Sequence, residues 1–122
     1  MDTIQSTANY EHELKRVVLS TSKGILFIPV QQIIRIQSVS NYSKLILTTG
    51  KTIVISKLLR WFEEHPKLQS FVRIHRTHLV NIHYIKKYRA GKKSMLFLNN
   101  GETIAVARRK KAVLVSRFHH HD

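Results

Sequence analysis

The 122 residues predict a mostly β chain of small antiparallel sheets, with a short central helix and a C-terminal helix. Three observations carry that expectation. Short runs rich in β-branched and aromatic residues recur along the chain, and clusters of Gly, Asn, Ser or Pro separate them. Only two segments space their apolar residues as one buried helix face requires. The length, with 43% hydrophobic residues, suits one domain that can bury a core without covalent staples.

The elements follow in order. Residues 1–14 are polar and aperiodic, and read as a linker or the remnant of an upstream region. Residues 16–20 make a strand, Ser22-Lys23-Gly24 a turn, and residues 25–28 a second strand. Pro29 stops that run, because it has no N–H for a ladder. Residues 30–32 make a turn or helical turn before a strand over residues 33–38. Ser40, Asn41, Tyr42 and Ser43 read as a polar loop. Residues 44–47 and 52–55 flank Thr49-Gly50-Lys51 as a hairpin. Ser56 is placed to cap a helix over residues 57–64, with Leu58, Leu59 and Phe62 on one face and Pro66 fixing the exit. Trp61 on this helix is expected to pack rather than to recognise anything.

The second half reads similarly. Residues 71–75 form a strand, Arg76-Thr77-His78 an irregular stretch, and Leu79-Val80 an apolar step. Residues 85–89, 94–98 and 103–106 form a meander with turns at Gly91 and Asn99-Asn100-Gly101. A terminal helix is expected over residues 110–118, with Val113 and Leu114 inward. His119-His120-His121 reads as part of a purification tag or a polar end. Residues 43–56 also echo residues 94–107, with six of fourteen positions identical. Two copies support two hairpin units in one domain and nothing larger.

Charge bounds the function. Twenty-one Lys and Arg against seven Asp and Glu give +14 and a pI near 10.6. Such an excess opposes compaction unless a polyanion neutralises it. Between residues 73 and 117 there are twelve bases and one acid, Glu102. Those bases cluster at Lys86-Lys87, Arg89, Lys92-Lys93 and Arg108-Arg109-Lys110-Lys111. A single doublet fits a solvated face; all of them together favour a surface that tracks phosphates.

Several classes fall away. There is no cysteine, hence no disulfide, thiolate nucleophile or Cys-based zinc site. The few carboxylates offer no pair for glycoside hydrolysis and no hard-metal cage. His75, His78 and His83 lie close in sequence, but no acid completes a metal set, and positions three apart on a strand face opposite sides. No phosphate-binding glycine loop or nucleophile elbow appears, so neither an enzyme nor a cofactor is expected. No apolar run is long enough to span a membrane, and the N-terminus lacks the pattern of a signal peptide. A cytoplasmic protein is expected.

The segment Phe71-Val-Arg-Ile-His-Arg-Thr-His-Leu-Val-Asn81 sets apolar anchors around Arg73, His75, Arg76 and Thr77. Arginine can pair bidentately with guanine or grip phosphate. Together with Ile33-Ile-Arg-Ile-Gln-Ser-Val-Ser-Asn-Tyr42, Leu58-Leu-Arg-Trp-Phe-Glu63 and Asn100-Gly101 leading to Val106-Ala-Arg-Arg109, it resembles the LytTR-type DNA-binding domain of bacterial response regulators. The resemblance covers about residues 15–118. It implies an elongated fold of small sheets whose loops enter successive major grooves of duplex DNA. It also implies base contacts from Asn41, Tyr42, Ser43, Arg76 and Arg109, and phosphate contacts from Lys44, Thr77, Arg108, Lys110 and Lys111. The chain departs from the family's frequent pattern at Gln37-Ser38 and at Ala107. The implied partner is promoter or operator DNA with repeated half-sites, read by the effector domain of a transcriptional regulator. Many family members carry an upstream receiver domain, and its acidic pocket has no counterpart in a chain whose only Asp residues are Asp2 and Asp122. The chain is therefore an effector domain cut from a longer regulator or a stand-alone binder, and a homodimer on DNA stays open. The competing readings are an RNA or single-strand binder, which wants exposed aromatics, and a basic module for an acidic protein or lipid head groups.

Overall fold

The computed structural model describes residues 15–119; the linker expected over residues 1–14 lies outside them, as does the chain from residue 120. Alternation builds the first element, Arg16–Thr21 (β1), where Val17 and Leu19 are buried and Arg16, Val18 and Ser20 are not. It pairs antiparallel with Gly24–Pro29 (β2). A short helical turn at Val30–Gln32 leads into Ile33–Val39 (β3), Tyr42–Leu47 (β4), Thr52–Ile55 (β5) and the helix Leu59–Glu63 (α1). A turn at Pro66–Leu68 joins this half to the next. There Phe71–His75 (β6) and His78–Asn81 (β7) precede a helical turn at Ile82–Tyr84. Ile85–Arg89 (β8), Met95–Leu98 (β9), Thr103–Ala105 (β10), a turn at Arg108–Lys110 and the helix Lys111–His119 (α2) follow.

Three antiparallel sheets result: β1-β2, β5-β4-β3-β7-β6, and β10-β9-β8. The five-stranded sheet is central, and apolar residues bury both its faces. On one face Ile33, Ile36, Leu45 and Leu79 pack with Val17, Leu19, Leu59, Phe62 and Leu68 beneath β1-β2 and α1. On the other, Ile34, Val72, Ile74 and Val80 pack with Leu96, Leu98, Ile104 and Leu114 of the three-stranded sheet and α2. Burial on both faces explains why β7 reads as a continuous apolar run rather than an alternating one.

Local expectations fail where a neighbour overrides propensity. The helix begins at Leu59 with Leu58 at its cap position and no side-chain cap bond, so Ser56 does not cap it. Leu58 and Val113, expected inward, are exposed, while Leu59, Phe62 and Leu114 fill the core. Trp61 is half-buried, edge-on to Phe62, as packing requires. His78 opens β7 directly opposite His75, since the chain reverses between them. The two rings therefore lie 5.6 Å apart rather than on opposite sides of one strand.

The echo is larger in three dimensions than the sequence suggests. Each half runs hairpin, helical turn, three-strand meander, helix. The pairing register shifts between Ile33 and Arg35 in β3 and at the matching place, between Ile85 and Lys87, in β8. Gly50 and Gly101 sit at φ 88° and 91°, in the left-handed region that glycine tolerates. Their N–H groups donate to the Leu47 and Leu98 carbonyls at 2.9 and 3.0 Å. The halves differ in pairing: β6-β7 joins β3, whereas β1-β2 remains a separate sheet.

A charged clamp ties the central sheet to the three-stranded one. Arg35 donates from Nε and a terminal nitrogen to the two carboxylate oxygens of Glu102, at 2.9 and 2.8 Å, and from its other terminal nitrogen to Gln37 at 2.9 Å. Arg35 holds the Glu102 carboxyl down at about 2, with Asn100 adding a third bond to it.

Candidate nucleic-acid interface

Strand direction brings four connections to one end of the fold. β3 runs towards the two-residue turn at Ser40 and Asn41, with Val39 opposite Tyr42. Ser40 adopts φ 54°, as the first central position of a primed hairpin turn requires. β7 starts beside that turn, with His78 opposite Gln37, and the Ser38 N–H donates to the Thr77 carbonyl at 2.9 Å. The Arg76-Thr77 turn is thereby fixed next to the β3-β4 turn. The Ala107 N–H donates to the Ile74 carbonyl at 2.8 Å, which sets Arg108–Lys110 against the outer edge of β6. Residues 90–94 complete the group, because the Val106 N–H donates to the Ser94 carbonyl at 2.9 Å and Lys111 Nζ lies 3.4 Å from the Gly91 carbonyl.

Arg76 and Arg109 come together in this arrangement. Both are exposed, and both line one open concavity of about 470 Å³ with Arg73, His75, Ala107 and Lys110. Arg73 does not project from the surface as they do. Only 19% of its side chain is exposed, and its guanidinium donates to the His75 and Arg76 carbonyls at 2.9 and 2.5 Å and to Glu63 at 2.7 Å. It holds the turn from which Arg76 projects. Replacing Arg73 with Lys removes the planar fork that reaches both carbonyls. The expected loss is about 1–2 kcal/mol of unfolding free energy by chemical denaturation; an unchanged midpoint would show that the turn is held otherwise.

The other expected contact residues divide. Asn41 and Tyr42 are exposed at the β3-β4 turn, Tyr42 by 38%. Arg108 is exposed, and Lys44, Lys110 and Lys111 are half-buried. Ser43 is a correction: it is fully buried, and its hydroxyl donates to the Lys57 carbonyl at 2.7 Å, so no base can reach it. Thr77 is half-buried. Its N–H donates to His75 Nδ1 at 3.1 Å and its hydroxyl lies 2.9 Å from the same nitrogen. Both contacts hold Thr77 at the turn beside Arg76. Among the described residues no three His, Asp or Glu side chains converge.

The chain shares its fold with the LytTr DNA-binding domain of a methyl-accepting/DNA response regulator from Bacillus cereus. That match has a TM-score of 0.68 at 23% identity, over 81% of this chain and 92% of that one. No curated protein matches the chain. The LytTr DNA-binding domain model matches residues 23–119, well over half of the sequence, and the chain therefore belongs to the LytTR family of DNA-binding domains.

Proposed function

We propose that this protein binds double-stranded DNA sequence-specifically, as the output domain of a bacterial transcriptional response regulator. The observation that carries the reading is the shared concavity: two arginines far apart in sequence, Arg76 and Arg109, line one surface beside the exposed Asn41 and Tyr42. On this reading Arg76 and Arg109 contact base edges, Asn41 and Tyr42 contact bases from the neighbouring turn, and Lys44, Thr77, Arg108, Lys110 and Lys111 face phosphates. At about 4.8 Å per strand, the β3-β4 turn and the Arg108–Lys110 turn beyond β6 are separated by roughly 17 Å. On this reading the two turns, set apart across the end of the central sheet, enter successive grooves of the duplex. The same reading makes the protein cytoplasmic, joins it to an upstream receiver domain in the full-length regulator, and has it engage repeated half-sites as two copies.

Selection of bound duplexes from a random pool tests it. The expected result is an enriched motif whose half-site spacing gives the stoichiometry. Competition at matched salt supplies the contrast: the selected duplex should displace bound probe far better than its separated strands or an RNA of the same sequence. A pool that stays random after selection, or equal competition by single strands, would sink the proposal.

A further inference from the structure

We propose that residues 90–94, with the outer face of the three-stranded sheet, form an additional DNA contact that takes the phosphate backbone flanking the site read by Arg76 and Arg109. The inference rests on the DNA-binding reading above and extends it to a surface that reading does not use. The internal repeat is its first support. The β3-β4 and β8-β9 pairs are equivalent, with the register shift at the same place, so residues 90–94 stand in the second half where Ser40 and Asn41 stand in the first. Position is the second support: Lys111 Nζ beside the Gly91 carbonyl makes this loop continuous with the Arg108–Lys110 turn.

Chemistry is the third support. Lys92 and Lys93 are exposed in the loop. Leu96, Leu98 and Ile104 turn the inner face of the sheet into the core, which leaves Lys87, Arg89 and Phe97 on the outer face. There Lys87 Nζ lies 5.5 Å and the Arg89 guanidinium carbon 5.3 Å from the centre of the Phe97 ring. One ring thus holds two cationic heads in place before any ligand arrives, which lowers the ordering cost of binding. Glu102, the one acid of this half's basic stretch, is tied to Arg35 and does not neutralise them. A ring already covered by cations is a poor platform for unpaired bases, so a duplex backbone is the occupant that fits.

The test compares a duplex that ends at the selected site with one extended by about ten base pairs, one helical turn, on each side. Wild type should bind the longer duplex more tightly, and the Lys87→Gln/Arg89→Gln double variant should lose that gain while matching wild type on the short one. On the longer duplex the plot of log affinity against log salt should become shallower by about two for the double variant. Raising salt from about 50 to about 200 mM should then weaken wild type about tenfold more than the variant. Phe97→Leu keeps every charge and should lose part of the flank gain; an undiminished gain would overturn the anchoring role of the ring. Equal losses by the double variant on both duplexes would overturn the proposal. So would a single strand that displaces the longer duplex from wild type but not from the variant. A wild type with sequence preference and no flank gain refutes this inference alone. A flank gain that the double variant abolishes, in a protein without sequence preference, refutes the base-reading assignment and leaves this surface standing.

Discussion

Arg109→Ala is expected to weaken binding to the selected duplex by about 1–3 kcal/mol while hardly changing binding to random duplex of the same length. The reason lies in where Arg109 sits. It shares the concavity with Arg76, whereas its neighbour Arg108 is exposed outside it. A guanidinium that meets guanine O6 and N7 discriminates between bases, and one that meets phosphate does not. Lys92→Ala, on the β8-β9 loop, supplies the contrast and should weaken both duplexes about equally. Titrations of the two variants on the two duplexes at one fixed salt concentration decide the matter. Equal losses for Arg109→Ala on selected and random DNA would assign it to the backbone and remove the main support for base reading.

Acid should unfold this domain in two stages. Burial lowers His78 to about 4, and the Arg35 and His75 charges push it further in that direction, against a smaller opposing pull from Glu102. Its Nδ1 is buried without a hydrogen-bond partner. Below the ordinary histidine value of about 6.5 the unfolded chain takes up this proton and the folded one does not, so folding is penalised as pH falls from about 6.5 to about 4. Solvent screening of this half-buried ring reduces the penalty to about 1–2 kcal/mol once both states are protonated. Glu102 acts in a lower window. Its stabilising effect is complete above the unfolded carboxylate range near 4.5 and vanishes as pH falls towards about 2. With 36% of that side chain exposed, solvent screening reduces its share to about 1 kcal/mol. Denaturant titrations at several pH values should show the first stage abolished by His78→Gln and the second by Glu102→Gln. A wild type whose stability is flat between about pH 6.5 and about pH 4 would contradict the burial of His78.

The readable and unreadable parts of this protein separate along a physical line. Strand positions in β6, β8 and the two glycine hairpins follow from the residues themselves, because alternation, β-branching and a glycine at positive φ are local constraints. The basic stretch from Arg73 to Arg117 is equally a property of the sequence, as is the motif around Arg76. Errors cluster where the answer depends on a distant partner. Ser43 looks like a loop hydroxyl until the Lys57 carbonyl closes over it. Glu102, a lone acid among twelve bases, signals a pairing requirement, but nothing local names Arg35 as the partner, 67 positions away.

By itself, then, the sequence determined that this is a β-rich, strongly cationic domain with few acids and two arginine-bearing segments suited to a polyanion. Only the tertiary structure decided that those segments share a surface. Strand order and direction are long-range properties: the pairing of β3 with β7 and the bond from Ala107 to Ile74 bring remote turns to one end of the fold. Periodicity reports which face of an element is buried, and it carries no information about which other element covers it.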